Sequence, residues 1–267
     1  MNEWILPQGE AAALMPGASY SLPGLFLYSK LIYQCLDQVQ DKFGYAIPVR
    51  YLYGSPKVLW NCGRLIITDN HYTREEIYQE LAGAKARGIT PLLTFSSPVL
   101  SQEDLADPAG NEILAMADEV GGGVIVSTPL LRDYIRAKYP NIEVHASVIM
   151  TAFPEQRDES YYASLAREYD RFVVHPEDNF RLDLLEKIPK DRAEIILNER
   201  CVYQCHQRKE HYLSIVEDQA ALIQGDGELT HFLDRCPNVP DFKQHASKAR
   251  NISLTAEEAV RLQGMGF

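Results

Sequence analysis

The feature that most constrains this chain is a regular alternation of two kinds of segment. From about residue 49 onward, short apolar runs rich in β-branched residues alternate with stretches whose apolar residues recur at helical spacing. Such alternation is typical of βαβ units, in which helices join parallel strands and cover the sheet. In one unit, Thr73 and Glu76 form a capping box, Gly88 stands where the helix should end, and a buried strand follows at Ile89–Phe95. The alternation therefore predicts an α/β fold with a parallel sheet.

The same patterns place individual elements along the chain. Strands are predicted at Val49–Tyr53, Leu65–Thr68, Ile89–Phe95, Val124–Val126, Ile142–Ile149, Arg171–His175 and Ala193–Leu197. Helices are predicted at Ser29–Phe43, Asn111–Val120, Pro129–Lys138, Glu159–Tyr169, Asn179–Ile188 and from near Gln207. Thr128 followed by Pro129 marks one helix start, since it combines a capping hydroxyl with a proline at the first helical position.

The number of strands selects between two parallel α/β architectures. Counted generously, the chain offers about eight strands, and its 267 residues match the roughly 250 of a (β/α)₈ barrel. An open doubly wound sheet is the alternative, but no G-x-G-x-x-G phosphate loop follows any predicted strand. We therefore predict a (β/α)₈ TIM-type barrel, with an incomplete or distorted barrel as the alternative, and a C-terminal helical extension. Residues 1–267 are expected to form a single domain, in which residues 201–267 are a cysteine-bearing C-terminal region.

The composition limits the classes of partner and compartment. Asp and Glu outnumber Lys and Arg by 37 to 26, and the formal net charge of −11 disfavours a nucleic-acid binder. No apolar run reaches about 18 residues and Met1–Pro16 contains no Lys or Arg, so neither a membrane span nor a secretory signal is expected. Five cysteines, an odd number, suit reduced thiols. We therefore expect a cytoplasmic protein that acts on a small molecule or a modified macromolecule, with a partner protein as a further option.

The cysteines are unevenly distributed, because three of the five lie in the last quarter of the chain. Cys201 and Cys205 are separated by three residues, and Cys236 can supply a third thiol from a later loop. Iron–sulfur clusters and structural zinc sites both require thiolates that are brought together in this way. The spacing matches neither a zinc-knuckle pair nor the C-x₃-C-x₂-C motif of radical-SAM enzymes. A metal site and a set of unrelated thiols therefore both remain open.

Several residues are candidates for a fourth ligand. His206, or His211 five residues later, could complete a Cys₃His zinc site, and either could equally be a surface residue. Cys62 is a candidate fourth thiol, with a small buried residue as the alternative. Glu199, two residues before Cys201, could act as acid, base or ligand, or pair with a neighbouring arginine on the surface.

In barrels of this type the reacting groups follow the carboxyl ends of the strands. His175 and Glu177 flank a proline at one predicted strand end, where a fixed loop could hold a general base or a metal ligand. The alternative is an ordinary loop before the next helix. His145 lies within a strand pattern, and it reaches a substrate only if it points into the barrel; pointing to the helices is favoured for an isolated histidine.

Two segments carry a resemblance to a known family. Arg171–Glu177 is a strand that ends in an acidic loop, and after a short helix Glu194–Cys201 is a strand that leads straight to a cysteine. This order resembles peptidase family U32, the collagenase-like peptidases and their relatives, over residues 45–215 or so. The resemblance implies a barrel-type catalytic domain. In several relatives, cysteines after that strand hold a [4Fe–4S] cluster, which implies Cys201, Cys205 and Cys236 as cluster ligands here.

The chain departs from the family pattern in two ways. The family commonly has four cysteines in this half, where this chain has three, and the His-Gly-Ala-x-Cys lead-in is replaced by Asn198–Cys201. A missing fourth thiolate would leave one iron of a cluster open to a histidine, to Cys62 or to a substrate. The departures also weaken any inference of peptidase activity.

Three functions follow from these patterns. The first is a cluster-dependent enzyme that modifies a small molecule or a cofactor or RNA precursor, with oxygen-independent hydroxylation-type chemistry implied by the resemblance. In it, His175, Glu177 and Glu199 would be catalytic. The second is a zinc-dependent hydrolase or peptidase that uses His175, His145 and Glu177 around an activated water. The third is a non-catalytic barrel whose cysteines hold a structural zinc.

Overall fold

The computed structural model describes residues 17–54, 56–61, 72–199, 201–224 and 252–267. Within these residues, seven parallel strands form one sheet and follow each other in sequence order. The strands are β1 (Tyr20–Pro23), β2 (Val49–Gly54), β3 (Thr90–Phe95), β4 (Gly123–Val126), β5 (Glu143–Ala146), β6 (Arg171–Val173) and β7 (Ala193–Glu194). The helices are α1 (Ser29–Phe43), α2 (Arg74–Ala86), α3 (Pro108–Glu119), α4 (Pro129–Lys138), α5 (Glu159–Glu168), α6 (Leu182–Leu185), α7 (Arg208–Gln224) and α8 (Ala256–Gly264).

The sheet curls like part of a barrel. Seven strands spaced about 4.8 Å apart would put the first and last strands of a flat sheet ~29 Å apart. Instead, Ser21 Oγ of β1 donates a hydrogen bond to Glu194 Oε2 of β7 over 3.2 Å. Since the helices alternate with the strands, the chain has the predicted α/β TIM-like fold, in the form of a curled half-barrel.

An apolar core fills the space between the curled sheet and its helices. Each strand alternates, so that one set of side chains faces the helices and the other faces the barrel interior. Buried residues of both layers belong to this core, among them Leu52, Leu93, Val124, Val144 and Phe172 of the strands and Leu81, Leu114, Leu131 and Leu165 of the helices. Each side chain of this size contributes about 1.5–3 kcal/mol when it leaves water. Packing of this core therefore determines which strand residues face the helices and which face the barrel interior.

The helix starts that the sequence predicts from local signals are confirmed. The Thr73 hydroxyl accepts from the Glu76 backbone N–H at 3.2 Å, and the Glu76 carboxylate accepts from the Thr73 N–H at 2.7 Å. Thr128 caps α4 in the same way, ahead of Pro129. Gly88 ends the α2 segment with a φ of +76°, a left-handed conformation that glycine adopts at little cost.

Three strands are shorter than predicted, because their last apolar residues leave the sheet. In the segment predicted as a strand over Ile142–Ile149, Ser147 makes the last ladder bond to the Val126 carbonyl at 2.8 Å. Its own carbonyl then accepts from the Met150 N–H, which turns the chain into a 3₁₀ segment. The segments after β6 and β7 likewise leave the ladder early, and Leu197 accepts from the Leu254 N–H at 2.8 Å instead.

Two further segments differ from expectation. The helix predicted over Asn179–Ile188 is a 3₁₀ turn (Asp178–Phe180) followed by the short α6. Arg181 separates the two with φ −98° and ψ 74°, and its guanidinium binds Asp178. Strand β1 was not predicted, because four residues that end in proline carry too little apolar pattern. The strand predicted at Leu65–Thr68 lies outside the described residues.

The C-terminal segment returns to the loop that follows β7. Ile252 is fully buried and its N–H bonds the Cys201 carbonyl at 3.3 Å, while Ser253 Oγ bonds the Glu199 carbonyl at 2.7 Å. α8 then completes the described chain. Among the described residues, no helix combines the length and the apolar character that a membrane span requires.

Candidate functional site

Polar side chains gather where β6 and β7 end and α7 begins. Because neighbouring parallel strands end at the same edge of a sheet, the loops after β6 and β7 meet there, as in other barrels of this type. We call this group the carboxyl-end cluster; its members are Arg157, His175, Glu177, Asp178, Cys201, Cys205 and Arg208. It contains four of the residues that the sequence predicts as functional: His175, Glu177, Cys201 and Cys205.

His175 is a buried, neutral member of this cluster. Only 2% of it is exposed, and its Nδ1 accepts a hydrogen bond from the Glu177 backbone N–H at 3.3 Å. Burial, together with the charges of Arg157 and Arg208, lowers the pKa of His175 to about 2. Since Nδ1 accepts, the proton of the neutral ring lies on Nε2. The ring is therefore suited to donate a hydrogen bond from Nε2, and not to cycle between charged and neutral forms near pH 7.

Asp178 holds the loop after β6 in place. It is 1% exposed, and it accepts from Arg157 Nε at 2.7 Å, from the Tyr162 hydroxyl at 2.6 Å and from Arg181 Nη1 at 3.3 Å. Burial and the Asp178 charge raise the pKa of Tyr162. The Tyr162 hydroxyl in turn accepts a hydrogen bond from the His175 backbone N–H at 3.1 Å. Asp178, as the hub of these hydrogen bonds, therefore also fixes the position of His175.

Glu177 lies between two guanidinium groups. Its Oε2 is 3.9 Å from Arg157 Nη2, and its Oε1 is 3.8 Å from Arg208 Nη2. Both distances exceed the length of a hydrogen bond, so the carboxylate is held by charge alone from these two sides. The Glu177 side chain is 17% exposed and the Asp178 side chain 2%, so Glu177 is the cluster's carboxylate nearest to solvent.

Cys201 and Cys205 are paired in the loop between β7 and α7. Both are half-buried free thiols that hydrogen-bond to each other. Burial, opposed by Arg208 and reinforced by Cys205, raises the pKa of the Cys201 thiol to about 11. Gln204, just before Cys205, has a φ of +57°, a conformation that costs a non-glycine residue roughly 1–2 kcal/mol. The loop accepts this cost in the conformation that brings the two thiols together.

The remaining predicted ligands are not brought to this pair by the described part of the chain. His206 is exposed, and His211 stacks on Tyr212 with ring centroids 6.1 Å apart. Across the described residues, no three His, Cys, Asp or Glu side chains converge as metal ligands. Cys62 and Cys236 lie outside the described residues. Glu199 is half-buried and near enough to Arg208 to interact with its charge.

A second group of charged residues lies inside the curled sheet. We call it the interior cluster, and it consists of Tyr51, Glu143, His145, Arg171 and Glu194. His145 Nε2 is 3.0 Å from Glu143 Oε1, and His145 Nδ1 is 3.3 Å from Glu194 Oε1. The Tyr51 hydroxyl donates to Glu143 at 2.5 Å and accepts from Arg171 Nε at 3.0 Å.

The orientation of His145 corrects the expectation that it points toward the helices. Val144 and Ala146 belong to the helix-facing core, so the strand alternation turns His145 inward. Burial alone would lower the pKa of His145, but Glu143 and Glu194 raise it. Burial would raise the pKa of Glu143, but His145 and Tyr51 bring it down to about 2. The two carboxylates therefore favour the protonated, cationic form of the ring.

Sequence reasoning missed both the arginines of the carboxyl-end cluster and most of the interior cluster. Arg208 lies three residues after Cys205, at the start of a predicted helix, which is the one local signal that could have found it. Glu143 and His145 share a face of a strand at a spacing of two residues, which could have indicated a polar barrel interior. Arg157 and Glu194 have no comparable local signal, because their partners are distant in sequence.

Two surface cavities lie away from both clusters. One, of about 390 Å³, is lined by Arg74 and Met116 of α2 and α3. The other, of about 360 Å³, lies beside α4 and α5 and is lined by Pro129 and Tyr161. Neither cavity is lined by a residue of the carboxyl-end cluster or of the interior cluster.

Comparison with known proteins bears on the fold. No protein-family model matches the chain, and no curated protein matches it. Among solved structures, the chain is similar to the U32 peptidase Mk0906, with a TM-score of 0.56 and 14% sequence identity over 91% of this chain and 90% of that one. It also aligns with a GH113 β-1,4-mannanase at a TM-score of 0.35 and 11% identity, over 93% of this chain and 98% of that one. The first likeness shows a U32-like fold.

Proposed function

We propose that this chain is a U32-like barrel metalloprotein that binds a [4Fe–4S] cluster through Cys201, Cys205 and Cys236. Its activity would be to modify a small molecule or a cofactor or RNA precursor. One observation carries the proposal: two half-buried thiols hydrogen-bond to each other at the carboxyl end of the sheet, next to a buried arginine. The U32-like fold supports it, because the carboxyl end is where barrels of this type place their reacting groups.

The chemistry of the donor set fits a thiolate-bound metal group. A metal ligand must be a thiolate, so binding would release the Cys201 proton that burial otherwise retains. The charge of Arg208 already lowers the cost of forming the Cys201 thiolate. A buried cation beside paired thiols thus favours an anionic occupant, as a thiolate-ligated cluster is.

The path of the chain permits Cys236 to join the pair. α7 starts beside the two thiols, and its 17 residues run for about 25 Å. At the far side of residues 225–251, Ile252 is again bonded to the Cys201 carbonyl. Cys236 is 16 residues from Ile252, and an extended chain of that length spans up to ~50 Å. The third thiol is therefore within reach of the site.

The protein's own residues would position a substrate. A bound cluster would supply electron transfer, or a Lewis-acidic iron where a protein thiolate is missing. His175 would donate a hydrogen bond from Nε2, since its neutral form is fixed by the Glu177 backbone N–H. The Glu177 carboxylate, which no hydrogen bond from Arg157 or Arg208 fixes, would remain available to accept a proton or a hydrogen bond.

The zinc hydrolase or peptidase alternative fits these residues less well. It needs His145, His175 and Glu177 around one metal, but His145 is held inside the barrel between Glu143 and Glu194. His175 presents a protonated Nε2 and uses Nδ1 to accept a backbone bond, so neither nitrogen offers a lone pair. A structural zinc on the cysteines remains the competing occupant that an experiment must separate from a cluster.

The test is a set of single cysteine variants purified without oxygen. Cys201→Ser and Cys205→Ser should each lose most of the iron, the acid-labile sulfide and the visible absorbance of the protein. Cys35→Ser is the matched control, because Cys35 is an exposed free thiol on α1. Equal metal content in Cys201→Ser and Cys35→Ser would contradict the proposal, as would one zinc without sulfide.

A further inference from the structure

One edge of the Arg208 guanidinium has no hydrogen-bond acceptor among the described residues. The residue begins α7 and is only 7% exposed. Its Nε and Nη2 atoms are buried, and neither has a hydrogen-bond acceptor in the described part of the chain. These two N–H groups point the same way from one edge of the planar guanidinium, and together they match two oxygens of a carboxylate or phosphate.

The neighbouring carboxylates do not fill this edge. Glu177 Oε1 stops 3.8 Å from Arg208 Nη2, which is too far for a hydrogen bond. Asp178 is taken by Arg157 and Arg181. A hydrogen bond with Tyr212 helps to hold the guanidinium where it is. Burying two unpaired donors of a cation is unfavourable, so the site calls for an acceptor that the described chain does not supply.

The surroundings of this edge favour an anion. Arg157 contributes a second guanidinium on the far side of Glu177. The first turn of the 17-residue α7 adds N–H groups that have no partner within the helix. Burial is the main cause of the lowered pKa of His175, and the positive charges of Arg157 and Arg208 lower it further. A negative ligand would therefore be stabilised here by charge as well as by hydrogen bonds.

We propose that the Nε–Nη2 edge of Arg208 is a subsite for the carboxylate or phosphate group of a small-molecule ligand. The ligand's two oxygens would take the two N–H groups side by side. Glu177 would be the competing charge, which turns toward solvent when the ligand enters. This proposal goes beyond the cluster and does not depend on it, because it rests on the unpaired Arg208 edge and on the positive charge around it.

The experiment is calorimetric titration of the full chain, before any iron or sulfide is added, with inorganic phosphate and separately with malonate. We expect one of the two to bind with one site per chain, and which one binds identifies the group. Arg208→Lys keeps the positive charge but lacks the two adjacent N–H donors of the guanidinium edge. It should therefore weaken anion binding by about tenfold or more. Glu177→Gln removes the competing charge and should tighten binding several-fold. Arg167→Lys is the control and should change nothing, because Arg167 is exposed on α5 and belongs to neither cluster.

Several results would overturn the proposal. The proposal is wrong if neither anion binds the wild-type chain. It is also wrong if Arg208→Lys binds the anion with the same affinity as the wild-type chain. If Arg208→Lys does not fold, as judged by its thermal transition, then Glu177→Gln decides, and unchanged affinity in that variant contradicts the subsite. Anion binding that disappears once iron and sulfide are restored would assign the edge to the cluster instead. Failure to incorporate iron leaves the anion titration intact, so the two proposals fail separately.

Discussion

Ser21 Oγ of β1 donates a hydrogen bond to Glu194 Oε2 of β7, and the other oxygen of the same carboxylate lies 3.3 Å from His145 Nδ1 of β5. One side chain on the last described strand thus connects the first strand and the fifth. Because no backbone ladder joins β1 to β7 within the described residues, these side-chain contacts help to hold the curl of the sheet.

Replacing Glu194 tests this connection. In Glu194→Gln, the buried His145 cation loses one of its two carboxylates, so we expect the free energy of unfolding to fall by about 1–3 kcal/mol. Urea unfolding followed by circular dichroism measures the change. Glu186→Gln is the matched control, because Glu186 is exposed on the outer surface. Equal losses in the two variants would show that Glu194 does not hold the curl.

The interior cluster also predicts a pH dependence. The folded pKa of His145 lies above its usual 6.5, so its contribution is complete below pH 6.5 and is lost as the pH rises through the folded value. The folded pKa of Glu143 is about 2, below its usual 4.5, so its contribution is complete above pH 4.5 and is lost toward pH 2. Tyr51, Arg171 and Glu194 face the same pair. The cluster should therefore stabilise the fold most between pH 4.5 and 6.5.

His145→Gln isolates this dependence. Wild-type chain should lose more of its free energy of unfolding than His145→Gln does between about pH 5.5 and pH 8.5, because only the wild type has the ring to deprotonate. The measurement is urea unfolding at both pH values. Parallel pH profiles for the two proteins would rule out a charged His145 in the folded state.

Asp178 is predicted to be the most sensitive single position of the carboxyl-end cluster. Asp178→Asn removes the buried carboxylate that hydrogen-bonds Arg157 and leaves only Glu177, 3.9 Å away, near that charge. Unfolding should therefore become easier by about 1.5–3 kcal/mol. Asp183→Asn, an exposed position on α6, is the control and should change stability by less than about 0.5 kcal/mol. Comparable unfolding midpoints for the two variants would refute the role of Asp178 as a hub.

Replacing Gly110 of α3 with alanine should destabilise the fold, although alanine usually stabilises a helix relative to glycine. A Cβ at Gly110 would lie 2.7 Å from Trp60 Cδ2, so Gly110→Ala should destabilise the fold by about 1–3 kcal/mol through overpacking. Gly83, in α2, has open space around it, so Gly83→Ala should instead stabilise by about 0.5–1 kcal/mol. Thermal unfolding of both variants checks the pair, and stabilisation by Gly110→Ala would mean that the helix and Trp60 do not pack as described.

Sequence patterns predicted correctly those structural features that depend on residues close together in sequence. Thr73 with Glu76, and Thr128 with Pro129, predicted helix starts because capping joins residues only three apart. The same logic could not find β1, since a strand of four residues is stabilised by pairing with β2 and not by its own pattern. The predicted strand over Ile142–Ile149 was too long, because apolar residues are also buried in the turn that follows the ladder.

For the site, the sequence located the loops but not the contacts within them. His175 and Glu177 were predicted from their place after a strand, and the structure brings them together with Arg157 and Arg208. That His175 is neutral could not be predicted, because its pKa depends on burial and on charges 18 and 33 residues away in sequence. His145 was misplaced for a similar reason, since only the folded sheet shows which face of β5 is inward.

The metal content of wild-type protein, purified without oxygen, decides whether the chain binds a [4Fe–4S] cluster. We expect about four iron and four acid-labile sulfide per chain, together with a broad visible absorbance that bleaches on exposure to air. A colourless protein without iron or sulfide, or one that carries a single zinc, would contradict it.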